Sequence, residues 1–172
     1  FTDHREMLTQ AGLQAVFVAI PPGAHGTQVA DCAQAGAALF VAKPVALTLE
    51  TARAACAAIA KAGVINQAGY MARYADITDK ARELLAGRAL ALGLGRFLCR
   101  MGAQHPWWGK QALSGGQMLE QSTHCFDLLR CFLGDVAEVP ASGHRGSADD
   151  VADFADRTVC TLRFAVGAVA NV

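Results

Sequence analysis

The stretch GGQMLEQSTH, residues 115–124, brings a carboxylate and an imidazole about one helical turn apart. Glu120 and His124 are separated by four residues, so on an α-helix they share one face, beside Gln117 and Asp127. Such a stripe is rich in groups that can handle protons. A Glu–His pair on the protein surface is an alternative. A metal site is another, although a metal needs three or four ligands and this helix supplies two.

A lysine and an aromatic loop are the other candidates for chemistry. Lys43 follows an apolar run and directly precedes Pro44, which favours an extended conformation that points the ammonium across the edge of a sheet. A solvated surface lysine is the alternative. Farther along the chain, a loop containing His105, Trp107 and Trp108 either stacks on a ligand or packs as an ordinary loop.

The elements that must position these groups alternate in the first part of the chain. The predicted order is a short helix to about residue 10, a strand at 15–20, a helix at 24–35, a strand at 38–42, a helix at 52–62 capped by Thr48, and a strand at 64–69. Continuous apolar strands joined by helices are typical of a parallel sheet buried on both faces. In such sheets ligands lie beyond the carboxyl ends of the strands. We therefore expect Pro21–His25, Lys43-Pro44 and Gln67–Arg73 to line one edge of the sheet.

The pattern changes in the second part of the chain. It predicts a helix at 76–86, a strand at 95–103, a helix that begins after the glycine pair and runs to about 133, and a strand at 156–165 followed by a turn and another strand. A helix beside several strands of antiparallel type favours an α+β domain. We place the domain boundary between residues 73 and 74. The GLG at 93–95 precedes a strand and lacks a third glycine, so it predicts a turn rather than a phosphate loop.

Composition narrows the class of protein. The chain has 172 residues, is 53% hydrophobic, and carries 15 basic and 15 acidic side chains. This balance gives no electrostatic reason to expect nucleic acid or a membrane surface as a partner. The six cysteines form no CxxC pair, which favours buried, reduced thiols, and no signal peptide or membrane span is evident. We expect a cytoplasmic globular protein.

Four segments, taken in order, resemble the Gfo/Idh/MocA family, named for glucose–fructose oxidoreductase, inositol dehydrogenase and a rhizopine-catabolism protein. The segments are AVFVAIPPGAHGTQVADCAQAGAALFVAKPVALTLETARA, INQAGYMARY, SGGQMLEQSTHCFDLLRCFLG and DRTVCTLRFAVGAVANV. The resemblance implies part of a Rossmann domain over residues 1–73. It also implies an incomplete α+β domain with an open, mostly antiparallel sheet over residues 74–172.

The resemblance also implies a cofactor, a substrate class and a site. The family uses NAD or NADP to oxidise a hydroxyl of a sugar or cyclitol, or to run the reverse reduction. The residues expected to contact the cofactor are Ile20, Pro21, Pro22, His25, Lys43 and Pro44. Those expected to line the substrate site are Arg73, Gln104, His105, Trp107, Trp108 and Glu120. A homo-oligomer, either a dimer or a tetramer, is expected by analogy.

Three residues are expected to carry the reaction. Alcohol oxidation needs a hydride acceptor, a base for the hydroxyl proton and a group that stabilises the developing charge. We assign His124 as the acid/base, Lys43 as the hydrogen-bond donor to the reacting oxygen, and Glu120 as the residue that holds a neighbouring hydroxyl. The zinc- or manganese-dependent hydrolase that Glu120 and His124 would also suit is the weakest alternative.

The sequence departs from the family pattern in three places. Ala42 stands where the family has a glutamate before Lys43-Pro44, and Glu120 stands where it usually has an aspartate. The glycine-rich turn that would bind the pyrophosphate does not occur in the chain. The missing glycine-rich turn favours a fragment of a longer enzyme or a chain completed by a partner. Together with Ala42, it also leaves open a catalytically inactive binding or assembly protein that retains the fold.

Overall fold

The computed structural model describes residues 1–100, 105–146 and 152–172. It divides the chain into two compact units, Phe1–Gly69 and Tyr70–Val172. The predicted boundary between residues 73 and 74 falls within a short 3-10 turn, Met71–Tyr74, of the second unit.

The first unit alternates helices and strands, as the sequence predicts. Its elements are α1 (His4–Gln10), β1 (Ala15–Val18), a 3-10 turn (Pro22–Ala24), α2 (Gln28–Gln34), β2 (Ala38–Val41), α3 (Leu49–Ala62) and β3 (Asn66–Ala68). The Thr48 side chain accepts a hydrogen bond from the Thr51 amide at the start of α3, and Gly63 ends that helix at a φ of 64°. A hydroxyl cap and a left-handed glycine satisfy the backbone groups that a helix leaves unpaired at its ends.

The three strands of this unit form a parallel sheet in the order β1-β2-β3, which confirms the predicted topology. Val18 lies opposite Val41, and Val41 lies opposite Ala68, so the three carboxyl ends are level. The amides of Ala42 and Gly69 donate to the carbonyls of Val18 and Val41, at 2.9 and 2.8 Å, and extend the pairing to the ends of the strands. The structure thus provides a common edge for the segments that follow the strands.

The expectation that this sheet is buried on both faces is wrong. Val18 and Val41 pack with residues of α2 and α3 in the core of the unit. Phe17 and Phe40 point to the other face, where they are 75% and 37% exposed and their ring centroids lie 5.2 Å apart. Because neighbouring strand residues alternate between faces, an all-apolar strand places half of its side chains on whichever face the unit leaves uncovered.

The second unit combines helices with a mixed sheet. Its elements are α4 (Asp76–Leu85), β4 (Leu92–Leu94), α5 (Gln111–Ser114), a π-helical segment (Met118–Ser122), α6 (Thr123–Leu133), β5 (Val136–Glu138), β6 (Ala141–His144), β7 (Arg157–Phe164) and β8 (Val169–Asn171). The strand order is β4-β8-β7-β5, with β6 also on β7. The pairings of β7 are antiparallel and only the β4–β8 pairing is parallel among the described strands, so the mostly antiparallel sheet is confirmed.

Two predictions near the start of this sheet are wrong. The strand lies at Leu92–Leu94 instead of beginning at residue 95, and residues 95–100 are not in a strand, while residues 101–103 of the predicted strand lie outside the described part. Gly93 of the GLG sequence therefore belongs to a strand and not to a turn. A Cβ at Gly93 would lie 2.6 Å from Leu129 Cδ2 and 3.1 Å from Leu133 Cδ1. Glycine is required there because α6 packs directly on the strand.

Replacing Gly93 with valine is expected to lower the free energy of unfolding of the second unit by about 1–3 kcal/mol, because the added atoms overpack the contact with Leu129. Leu94→Val is the matched control, since Leu94 is 73% exposed and its replacement should change that energy by less than about 0.5 kcal/mol. Urea unfolding followed by tryptophan fluorescence measures both, because the two tryptophans of the chain lie in this unit. Equal midpoints for the two variants would contradict the packing argument.

Two further features bear on the class of protein. Among the residues that the structure describes, no helix is both long enough and apolar enough to cross a bilayer. The cysteines are free thiols, but the expectation that they are all buried is only partly right, because Cys56 and Cys99 are exposed whereas Cys32 and Cys160 are buried.

Candidate active site

In the first unit, the residues after β1 form a compact turn. Pro22 is buried and begins the 3-10 turn, while the half-buried His25 hydrogen-bonds the backbone of Ile20. Burial lowers the pKa of His25 because the charged imidazolium loses hydration, and the bond to Ile20 opposes this only in part. The ring therefore favours its neutral form at the end of the strand. Pro21, also predicted as a cofactor contact, is exposed.

Lys43 and Pro44 occupy the end of the neighbouring strand, as predicted. The peptide bond between them is cis, and the Pro44 side chain is fully buried while Lys43 is half-exposed. A Cβ at Gly69, after the third strand, would lie 3.3 Å from the Val41 carbonyl oxygen, so the ends of β2 and β3 approach closely. The sequence-predicted cofactor residues of this unit thus follow adjacent strand ends.

In the second unit, a glycine pair directly precedes the helical segment that carries Glu120 and His124. Gly115 and Gly116 have φ values of 78° and 80°, a region that other residues rarely adopt. A Cβ at Gly116 would also lie 2.7 Å from Gln111 Oε1 and 3.3 Å from the Phe154 ring. Both a positive φ and a lack of room therefore explain the pair.

The helix does not run as a regular α-helix from this point. Met118–Ser122 is π-helical and α6 follows at Thr123. A π-turn has i to i+5 hydrogen bonds, so residues four apart no longer stack as they do in an α-helix, and such turns are frequent at functional sites. The sequence predicted a narrow polar stripe and left a surface Glu–His pair as an alternative, but Glu120 is only 9% exposed and His124 is half-buried. A Glu–His pair on the surface is therefore excluded.

His124 lies between two aromatic rings. Its ring is stacked on Phe97 at 6.4 Å with an interplanar angle of 21°, and it meets Tyr70 edge-on at 6.2 Å. The Tyr70 hydroxyl lies 3.1 Å from Thr123 Oγ1, on the residue before His124. The two rings restrict the orientation of the imidazole, and the sequence singled out neither of them as part of the site.

A chain of side-chain hydrogen bonds holds the backbone at Phe97. The Gln117 amide donates to the Phe97 carbonyl at 3.4 Å, and the buried Ser122 hydroxyl donates to Gln117 Oε1 at 3.0 Å. Both polar residues lie in or next to the π-helical segment. The same irregular turn therefore presents Glu120 and bonds to the backbone of the residue whose ring packs on His124.

A cavity of about 120 Å³ opens beside Glu120. Its walls come from four stretches of the second unit and combine apolar side chains and amides with one basic and one acidic group. The lining residues are Cys99, Arg100, Trp108, Gly116, Gln117, Glu120, Gln121 and Phe154. Glu120 lines it, whereas His124 does not, so the two candidate catalytic residues of the helix have different surroundings. Phe154 lies far along the sequence from the helix, and no local pattern pointed to it.

The predicted aromatic loop forms a cluster of three rings. His105 lies 5.0 Å from Trp108 and 6.1 Å from Trp107, and the two indoles meet edge-on at 5.9 Å. A hydrogen bond stabilises the end of the loop: the Gln111 backbone amide donates to Asp153 Oδ1 at 2.6 Å. Of the three aromatic residues, Trp108 is the one that lines the cavity.

Arg73, predicted to line the substrate site, is held within the second unit by an ion pair. Its Nε donates to Asp127 Oδ2 at 2.7 Å and its Nη2 donates to the Asp127 carbonyl at 3.2 Å. These bonds raise the pKa of Arg73 because they stabilise its charged form. The guanidinium thus ties the turn before α4 to α6. Gln104, also predicted to line the substrate site, lies outside the described residues.

Within residues 1–100, 105–146 and 152–172, no three histidine, cysteine, aspartate or glutamate side chains come close enough together to hold a metal ion. The Glu120 carboxylate offers an acceptor for hydrogen bonds.

The family model described as an oxidoreductase family with an NAD-binding Rossmann fold matches residues 1–70, and the model of the GFO/IDH/MocA C-terminal domain matches residues 87–172. The chain belongs to the GFO/IDH/MocA family. The family resemblance and the fold class predicted from sequence are thereby confirmed.

Inositol dehydrogenases are among the family members similar to this chain. The scyllo-inositol 2-dehydrogenase (NAD(+)) of Bacillus subtilis is 34% identical over 83% of this chain and 41% of its own length. The myo-inositol 2-dehydrogenase of Thermotoga maritima is 28% identical over 98% of this chain and 52% of its own length. The chain therefore spans about half the length of the curated GFO/IDH/MocA relatives it matches.

A solved GFO/IDH/MocA-like structure shows the same fold. The WlbA dehydrogenase of Bordetella pertussis, in complex with NADH and UDP-GlcNAcA, matches with a TM-score of 0.84 and 27% identity. The match covers 100% of this chain and 51% of that one.

Proposed function

We propose that this chain forms part of an NAD(P)-dependent oxidoreductase that transfers a hydride between a nicotinamide cofactor and a hydroxyl or carbonyl carbon of a sugar or cyclitol. The observation that carries the proposal is the buried Glu120 carboxylate beside a cavity, four residues before an imidazole held between two rings. In a family with inositol dehydrogenases among its members, His124 supplies a group that takes the proton of the reacting hydroxyl, and Glu120 supplies an acceptor for a neighbouring hydroxyl.

The strand-end residues of the first unit fit the nicotinamide half of NAD or NADP. Pro22 and Pro44 are buried at two adjacent strand ends, and the lowered pKa of His25 favours a neutral ring, so Lys43 supplies the positive charge at this edge. When bound, the cofactor supplies the carbon that accepts or donates the hydride. The glycine-rich turn that would bind its pyrophosphate is not in this sequence.

Three residues of this chain are proposed to carry the reaction. In the oxidative direction the C–H electron pair leaves as a hydride, and His124 takes the proton of the reacting hydroxyl as a general base. Lys43 donates a hydrogen bond to the same oxygen and stabilises the negative charge that develops on it. Glu120 accepts a hydrogen bond from a neighbouring hydroxyl and so orients the ring. In the reductive direction His124 returns the proton.

A non-catalytic binding or assembly protein is the second candidate. Ala42, which replaces the glutamate of the family's Glu-Lys-Pro motif, favours it, because a carboxylate beside Lys43 would orient the ammonium. The retained Lys43, Glu120 and His124 speak against it, since a binding protein has no need of a proton acceptor.

We also propose that the protein works as a homo-oligomer, a dimer or a tetramer. Leu94 and Val159 are 73% and 60% exposed on the sheet of the second unit, and an exposed apolar surface of this kind suits a contact between copies. This assembly and the cytoplasmic location remain predictions.

A titration with NADH and with NADPH separates the two candidate functions. A version of the chain extended at its N terminus by a glycine-rich nucleotide-binding segment is expected to bind one or both, whereas the present chain should bind roughly 100-fold more weakly or worse, because it lacks the charge-assisted hydrogen bonds to the pyrophosphate. Nucleotide fluorescence measures both proteins under the same conditions. An extended protein that binds neither nucleotide would overturn the oxidoreductase proposal and leave the binding protein.

A further inference from the structure

The indole N–H of Trp108 is a buried donor whose partner the described part of the chain does not supply. Trp108 lines the 120 Å³ cavity, and a buried N–H without a hydrogen bond carries a free-energy cost, because the group has lost its hydrogen bond to water. Aromatic residues with a polar atom usually find a partner for it when they are buried. A bound molecule that accepts a hydrogen bond would remove this cost.

The same cavity contains a strong acceptor. The Glu120 carboxylate is 9% exposed, and its Oε2 atom is inaccessible to solvent. The Gln121 amide donates to Glu120 Oε1 at 3.5 Å, and both side chains line the cavity. A hydroxyl group is both a donor and an acceptor, so it can accept from an N–H and donate to a carboxylate at once.

The size and the remaining walls of the cavity restrict the ligand further. Phe154 and the ring of Trp108 give it apolar walls, which suit the C–H face of a saturated ring. An apolar cavity of about 150 Å³ binds a benzene ring in another protein, so a cavity of 120 Å³ with an open side admits most of one six-membered ring. Glu120 and Arg100 both line the cavity, so its acidic and basic side chains balance and the lining suits a neutral ligand.

We propose that Trp108 determines substrate specificity: its indole N–H donates to one hydroxyl of a neutral polyhydroxylated ring, and Glu120 accepts from that hydroxyl or from the adjacent one. The hydroxyl is not the reacting one, because the cavity lining includes Glu120 but not His124. The inference rests on the proposed function and deepens it by naming how the ring is recognised. Trp108 acts in binding and takes no part in proton or hydride transfer.

A direct test uses the indole signals of the chain. The chain has two tryptophans, so its NMR spectrum contains two indole N–H resonances, and Trp107→Phe assigns them. Titration with myo-inositol should shift the Trp108 indole proton downfield, as expected for a new hydrogen bond, whereas cyclohexane carboxylate should not shift it. The titration is made with the present chain and with the extended protein in the presence of NADH. A Trp108 resonance that stays unmoved in both proteins overturns the proposal.

A kinetic test uses the ring-conserving variant Trp108→Phe in the extended protein, which removes the N–H and keeps the apolar wall. It is expected to lower kcat/KM for myo-inositol about 5- to 10-fold, mainly through KM. With unaltered Trp108, the monodeoxy inositol that lacks the recognised hydroxyl should have a kcat/KM about 5- to 10-fold lower than that of myo-inositol. In Trp108→Phe the kcat/KM of this deoxy compound should not fall further. If the variant lowers kcat/KM equally for the parent and for every deoxy compound, the specificity role is wrong.

The two tests also separate this inference from the proposed function. An extended protein that oxidises no polyol, yet shows the myo-inositol shift at Trp108, would refute the dehydrogenase and retain the recognition of the ring. An extended protein that oxidises myo-inositol equally well with Trp108→Phe would retain the dehydrogenase and refute the role of Trp108.

Discussion

Replacing His124 with alanine in the extended protein is expected to lower kcat for polyol oxidation by about 10³-fold, within the range of 10²–10⁴ that general acid–base catalysis contributes. The affinity for NADH should change little, because the family resemblance places this residue against the substrate and not the nucleotide. The imidazole lies between Tyr70 and Phe97, so its removal leaves a space with two ring walls. Added free imidazole should enter this space and restore part of the rate. Steady-state kinetics with and without imidazole measures the effect.

Two variants distinguish a lost base from a disturbed fold. His144→Ala is the matched control, since His144 is an exposed histidine of the same unit and its loss should leave kcat unchanged. His124→Gln keeps a polar side chain but cannot exchange a proton near neutral pH, so it should be almost as slow as His124→Ala. A kcat near that of the unaltered protein in His124→Ala would remove this residue from the mechanism.

Replacing Lys43 with methionine is the substitution with the next largest expected effect. It should lower kcat by about 10²–10³-fold, the cost of removing one donor from an oxygen on which charge develops. Methionine keeps the length and the apolar stem of lysine, so the buried Pro44 beside it should stay in place. The KM for the nucleotide is expected to change less than kcat. Kinetics with both substrates varied separates these two effects.

The control for this variant is another lysine of the first unit. Lys61, in the last turn of α3, is exposed and should tolerate methionine without a change in kcat. If Lys43→Met and Lys61→Met have the same kcat, then Lys43 is a surface lysine and the reacting oxygen is stabilised by another group.

Local features of the fold could be read directly from the sequence. Thr48 caps α3 and Gly63 ends it, because a cap depends on residues within one turn of the helix end. The parallel order of β1, β2 and β3 follows from short strands joined by helices, a pattern that leaves few topologies. The sequence did not show that only one face of this sheet is buried, because burial depends on which face the helices cover and apolar strands carry no signal for that choice. Phe17 and Phe40 lie on the exposed face.

The second sheet was harder to predict because its contacts join distant parts of the chain. β4 pairs with β8, and Gly93 fits beneath Leu129 and Leu133, which follow it by more than thirty positions. The GLG sequence looked like a turn because glycine favours turns whenever only neighbouring residues are considered. Here glycine serves a close approach of a helix to a strand.

The candidate site shows the same division. By itself the sequence determined which residues have the chemistry for the proposed reaction: Lys43 after a strand, and Glu120 and His124 on one helix, because residue type and spacing are local properties. Only the tertiary structure decided their surroundings. The π-helical segment buries Glu120 beside Trp108, and two rings enclose His124, since burial and orientation are set by side chains that fold in from Tyr70, Phe97 and Phe154.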